Sequence, residues 1–279
     1  WILDTSIALI LIFALGSIGI YSFMVGGWAS ESKFSLLGSM RTGAQVVSYE
    51  VSLALSVLGV VMMGQSLSLV DIVHKQIETG WFIGPQIVGL LCFFVAGVAE
   101  TNRPPFDLPE AETELVAGYH TEYSSMSFAL FFLAEYVNMV TVSAVATSLY
   151  LGGWLGPFLP DWLQWIYFLI KVFLILFFYV WMRWTLPRYR YDQLMEFGWK
   201  WLLPVSVVNL LATVVLVLWI GCAMDRQIPS SKLQIPMHAR LSTANPGTDR
   251  SWVLRVAWGV ALGIGIWGCV GIWDLELGI

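Results

Sequence analysis

The residues best placed to do chemistry in this sequence are carboxylates set in or beside apolar surroundings. Glu135 stands ten residues into the apolar segment 125–150, which puts it roughly 15 Å along a helix and near the middle of a bilayer. An acid at that depth costs about 2.5–3.5 kcal/mol to insert and marks a site able to take up and release protons. The opposing reading is a carboxyl neutralised by a neighbouring cation, for which Lys171, midway along the apolar segment 162–186, is the obvious candidate. Lys171 itself reads equally as counter-ion or relay member. Glu50, in Ser48-Tyr49-Glu50, sits about one turn inside the segment 46–69, where it either joins a proton path or reaches out to the interface.

A second group lies between two apolar segments, from Glu100 to Tyr123. Six acids (Glu100, Asp107, Glu110, Glu112, Glu114, Glu122) face the single Arg103 there. Pro104 and Pro105 stop the preceding helix. Asp107, followed three residues on by Glu110, has the form of a helix start, and Pro109 is tolerated in a first turn. Capping leaves Glu112 and Glu114 unexplained. The stretch is either an acidic solvated loop or a re-entrant funnel at the membrane edge that collects protons.

Cations gather in the connection Arg183 to Lys200, with Arg188-Tyr-Arg-Tyr-Asp192 and Glu196-Phe-Gly-Trp-Lys200. This mixture of Arg, Tyr and Trp is a basic interface loop or a docking surface for a hydrophilic partner. In the loop 28–45, Arg41 and Gln45 precede Glu50 and could extend the polar path inward.

These residues need a scaffold, and the composition specifies which kind. The chain has 279 residues, 58% of them hydrophobic and 12% charged, with a mean hydropathy of +0.74. That is more apolar surface than one soluble core can hide, so the lipid bilayer is its solvent. The net charge of -5 averages over loops and points to no nucleic acid. Cys92, Cys222 and Cys269 lie far apart in apolar runs and read as packing residues rather than metal ligands. No GxGxxG or Walker loop is present, so the sequence offers no redox centre or nucleotide site of its own.

Seven segments reach the length of about 20 residues needed to span a bilayer: 3–27, 46–69, 81–99, 125–150, 162–186, 201–223 and 252–273. Backbone groups in lipid must bond within their own segment. The expected fold is therefore all-α, a polytopic transmembrane bundle of about seven helices. Lys33, Arg41, Arg103, Arg183, Arg188, Arg190 and Lys200 fall on one side, which the positive-inside rule makes cytoplasmic. The organisation reads as a membrane domain over 1–223, a polar connection over 224–251 and an additional C-terminal helix over 252–279. In that helix Gly259 and Gly263 form a GxxxG spacing for close packing. Without an internal repeat, a stand-alone proton-coupled transporter is the weaker reading.

The run Glu100-Thr-Asn-Arg-Pro-Pro-Phe-Asp-Leu-Pro-Glu-Ala-Glu-Thr-Glu-Leu-Val-Ala-Gly-Tyr-His-Thr-Glu-Tyr123 closely resembles the signature of the quinone-site membrane component, the H subunit, of respiratory complex I. Matching passages are Gly27 to Glu50, Ala134-Glu-Tyr-Val-Asn-Met139 and Pro187 to Met195, and the match runs from about residue 3 to 222. The resemblance implies a non-redox subunit of a bacterial proton-translocating NADH:quinone oxidoreductase, multi-pass in the inner (plasma) membrane. It would help form the chamber for a quinone, ubiquinone or menaquinone, and couple its reduction to proton translocation. Carried over by position, Glu50, Glu100, Glu112, Glu114 and Glu135 would form the proton path. Arg41, Arg103, Asp107, Arg188, Arg190 and Asp192 would line or adjoin the chamber. FMN and iron–sulfur clusters are expected in hydrophilic partner subunits on the cytoplasmic side, with small and antiporter-like subunits in the membrane. A homologous subunit of an energy-converting hydrogenase is the alternative within the same resemblance. The family begins with a further transmembrane helix and an amphipathic segment, so an upstream part is expected beyond Trp1. The segment 252–273 goes beyond the shorter bacterial versions.

Overall fold

The computed structural model describes residues 6–107, 118–156 and 163–227, the last with side chains to residue 219. It divides into two units, 1–213 and 214–279, and every side chain of the site described below belongs to the first. Its described residues form helices: α1 (Ala8–Ala29), α2 (Lys33–Gly64), α3 (Leu69–Thr79), α4 (Ile87–Glu100), α5 (Ser125–Tyr150), α6 (Gln164–Thr185), α7 (Tyr191–Phe197) and α8 (Leu203–Gln227). A 3₁₀ turn, Gly118–His120, precedes α5. A π turn, Gly198–Leu202, joins α7 to α8 without a break in the helical path.

Among the described residues, five helical runs are long and apolar enough to cross a membrane: α1, α2, α5, α6 and Tyr191–Trp219. The expected all-α membrane bundle is thus what the chain forms. Its outer faces carry large apolar side chains, such as Leu15, Tyr21 and Trp28 on α1 and Phe173, Phe177 and Trp184 on α6. Lipid contact makes this arrangement favourable where water would not.

Three boundaries differ from the sequence expectation. The helix expected over 46–69 begins at Lys33, so Arg41 and Gln45 belong to α2 rather than to a loop. Glu50 then lies near the middle of α2, about 26 Å from its start, rather than one turn inside. The inward face of 33–45 carries small residues: Ser35, Gly38, Ser39 and Thr42 are buried, and Ser35 and Ser39 lie against Gly27 of α1. The segment 81–99 yields a helix of only 14 residues, Ile87–Glu100. Residues of the Arg183 to Lys200 connection turn helical at Tyr191. The connection 224–251 reaches beyond the described residues, and the segment 252–273 lies wholly outside them.

The chain after α4 is clamped onto α2. Gln45 Nε2 donates to the carbonyls of Ala99 and Phe106, both at 2.8 Å. Gln45 therefore holds the loop's backbone through its amide nitrogen. Between these anchors lie the cis Pro104-Pro105 bond and Asn102 with φ +49°. At the opposite end of the bundle α3 is amphipathic, with Ile72, Val73 and Gln76 inward. Gln76 Nε2 donates to the carbonyls of Ser148 and Leu149 at 3.0 and 3.1 Å, tying α3 to the end of α5.

Lys171 is part of that same end and not of the acid cluster. Its Nζ donates to the carbonyls of Leu151, Gly153 and Leu155 at 2.7, 3.0 and 2.6 Å and lies 5.0 Å from the Trp81 ring centroid. The Lys171–Glu135 pairing is thereby replaced. The long lysine stem reaches to the helix end, where the ammonium meets carbonyls that the helix leaves unpaired. Lys171→Met should leave those acceptors without their donor at a cost of about 1–3 kcal/mol. A lower unfolding temperature of the detergent-solubilised protein, with unchanged helix content, is the expected result, and an unchanged temperature refutes this role.

Candidate functional site

A cavity of about 460 Å³ opens between α1, α4 and α5, with Phe13, Gly16, Glu100, Asn102, Glu135 and Asn138 among its lining residues. Two acids from different helices thus share one space. Glu100 is the last residue of α4, half-buried, and Asn138 hydrogen-bonds its carboxyl. Gly16 faces the same carboxyl: a Cβ built there would lie 3.7 Å from Glu100 Oε1.

Glu135 is 5% exposed and held through both oxygens. Tyr119 donates its hydroxyl to Oε1 at 2.9 Å, and Arg103 Nη2 stands 3.3 Å from Oε2. The Arg103 guanidinium also lies 4.4 Å from the Tyr136 ring centroid. Arg103 Nε and Nη2 form no hydrogen bond among the described residues, so charge and the aromatic face, rather than directed bonds, hold these two nitrogens. The counter-ion of Glu135 is thus Arg103, from the loop after α4.

Glu50 completes the group. Its carboxyl is in hydrogen-bonding contact with the hydroxyl of Ser17 on α1, and it lies close enough to Glu100 for their charges to interact. Asn102 lines the cavity, is 3% exposed, and has neither amide atom hydrogen-bonded among the described residues. The buried Tyr179 hydroxyl is similarly unpaired and feels the charge of Glu100. Carboxylates in this arrangement can exchange protons with water admitted to the cavity, because buried polar atoms without protein partners are the groups that anchor such water.

A second group forms where the chain after α4 meets the chain before α7. Arg188 Nη2 donates to Asp107 Oδ2 at 3.0 Å, and Tyr189 N donates to the Pro105 carbonyl at 3.1 Å. Arg41 lies 5.6 Å from the Tyr191 ring centroid. Arg190 and Asp192 pair at 3.4 Å on the surface, both side chains 75% exposed. Asp107, read as a helix start, has Arg188 as its partner; the helix it would begin lies outside the described residues, as do Glu112 and Glu114. His120 is 8% exposed and packs against Phe128 and Phe132. Burial pushes its imidazole below the usual histidine range, partly opposed by Asp107.

The sequence reading missed Tyr119, Asn138, Asn102 and Ser17 as members. Asn138 was detectable, since i and i+3 share a helix face with Glu135. Tyr119 and Ser17 had no local signal, because their partners come from other elements.

Fold and site together define a polytopic helical membrane protein with a cluster of partly paired acids around a cavity between its helices. Residues 1–214 match the model of the family described as NADH dehydrogenase. The second of the H subunits of NADH-quinone oxidoreductase in Koribacter versatilis is 54% identical over 225 residues, covering 77% of this chain and 64% of that protein. Its counterpart in Geobacter metallireducens, also a second H subunit of NADH-quinone oxidoreductase, is 50% identical over 217 residues, 77% of this chain and 62% of that protein. The chain belongs to this family, that of the H subunit of complex I. It spans a little under two-thirds of the length of these relatives.

Proposed function

We propose that the chain serves as the H subunit of a bacterial proton-translocating NADH:quinone oxidoreductase in the cell membrane, helping to enclose the quinone and coupling its reduction to proton translocation. The observation that carries this reading is the shared cavity, with Glu100 and Glu135 both on its wall and Glu50 in electrostatic reach of Glu100. Reduction of the enclosed quinone creates a demand for protons, or a negative charge, that shifts the ionisation of nearby carboxylates. Arg103 ties this disturbance to Glu135, and Glu100 passes it to Glu50. Glu112 and Glu114 extend the path from the acidic stretch.

Arg41, Arg188, Arg190, Asp107 and Asp192 adjoin the chamber, where guanidinium and aromatic groups suit contact with a quinone headgroup or with the hydrophilic partner subunits. Those partners carry the FMN and iron–sulfur clusters, and antiporter-like and small subunits complete the membrane arm. The names of the relatives support the quinone enzyme over the energy-converting hydrogenase.

In the assembled complex, Glu100→Gln and Glu135→Gln should each slow quinone-coupled turnover by roughly tenfold or more. Electron transfer from NADH to an artificial acceptor at the flavin should stay unchanged. Full assembly with wild-type coupled rates in both variants would remove the proton-path assignment.

A further inference from the structure

We propose that Tyr119 is a positioning residue for the coupling step, the fixed donor that holds the Glu135 carboxyl toward the cavity; this rests on the reading of Glu135 as a member of the proton path. Its hydroxyl reaches Glu135 Oε1 at 2.9 Å, and the side chain is 1% exposed. The ring is held by Phe23 of α1 and Phe131 of α5, with centroids at 5.0 and 5.4 Å, and by its neighbour His120 at 4.9 Å.

The backbone is fixed as firmly. Ser35 Oγ of α2 donates to the Tyr119 carbonyl at 2.9 Å. Gly38 of α2 lies against the same turn: a Cβ there would stand 3.0 Å from Gly118 Cα and 3.2 Å from Tyr119 N. Gly118 has φ +65°, a left-handed conformation that glycine adopts without strain. The 3₁₀ turn is therefore seated on α2, and the tyrosine it carries crosses to α5. Arg103 takes one carboxylate oxygen and Tyr119 the other, so Tyr119 sets the direction of the carboxyl group while Arg103 supplies the charge. A directed hydrogen bond orients; an ion pair at 3.3 Å without hydrogen-bond geometry at Arg103 Nη2 does so far less.

The test is a double-variant cycle in the assembled complex. Tyr119→Phe keeps the ring packing and removes only the donor, and should lower quinone-coupled turnover on the order of tenfold, with the KM for quinone unchanged. Combined with Glu135→Gln it should add nothing to the slower rate of Glu135→Gln alone, because both act through one carboxyl. Wild-type turnover in Tyr119→Phe, with Glu135→Gln slow, overturns the role of Tyr119 alone. Multiplying effects overturn it too. Wild-type turnover in Glu135→Gln instead overturns the proton-path reading on which it rests. Should Tyr119→Phe fail to assemble, 3-fluorotyrosine at position 119, a stronger donor of nearly the same shape, must shift the pH profile of coupled turnover; an unmoved profile refutes the proposal.

Discussion

Arg103→Ala should give the largest loss of any single substitution at this site, with little folded complex recovered. Glu135 would keep a buried carboxylate without its cation, and breaking a buried pair costs about 3–5 kcal/mol; Glu135→Gln is milder, because glutamine keeps an oxygen acceptor and Arg103 keeps the Tyr136 ring 4.4 Å away. The pair is nearly closed to solvent, with side chains 6% exposed on both partners. Removing both charges is a different experiment. Arg103→Met with Glu135→Gln should restore much of the assembled complex while coupled turnover stays low, because a buried pair replaced by neutral groups of similar volume is often no less stable. Recovery of complex in detergent, followed by its unfolding temperature, measures both arms. Equal losses in single and double variants would show that Arg103 acts through the Tyr136 ring or its own packing rather than through Glu135.

Gly27→Ala should separate α1 from α2. A Cβ at Gly27 would lie 2.3 Å from Ser39 Cβ and 2.9 Å from the Ser35 carbonyl oxygen. A backbone oxygen cannot swing aside, so one helix must move. Overpacking of this kind costs about 1–3 kcal/mol, and more where backbone stands in the way. Gly19→Ala on the same helix is the control, since nothing lies within 4 Å of its Cβ, and alanine favours helix by about 1 kcal/mol over glycine. The expected result is a lower unfolding temperature for Gly27→Ala and an equal or higher one for Gly19→Ala. If Gly27→Ala leaves yield and melting untouched, α1 does not rest on α2 in this register.

How far the sequence disclosed this arrangement differs by residue. Glu135 was legible because a charge inside a long apolar run is conspicuous. The span 125–150 coincides with the observed helix Ser125–Tyr150. Its partner was not legible. Hydropathy places Lys171 and Glu135 at similar depth in neighbouring segments, yet says nothing of which end a flexible ammonium reaches toward. Arg103 belongs to a connection, and only the folded path after α4 brings it under α5. The start of α2 was hidden for another reason: Ser35, Gly38, Ser39 and Thr42 look like loop residues on a hydropathy scale, while their small size is what fits them to a helix interface. The acidic stretch was readable as a unit, and the structure divides its described part by partner, Arg188 for Asp107 and Asn138 for Glu100.

The shortness of α4 has an electrical consequence. With 14 residues it is about 21 Å long, against roughly 30 Å of hydrocarbon. A helix of that length begun at one face and running along the normal would leave Glu100 about 9 Å short of the other. A proton reaching that carboxyl crosses nearly a third of the membrane's voltage drop, worth about 0.7 kcal/mol at 100 mV. On the proposed reading of Glu100 as a proton-path member, its occupancy would depend on the potential across the membrane as well as on pH, and back-pressure from an energised membrane would be felt at that acid.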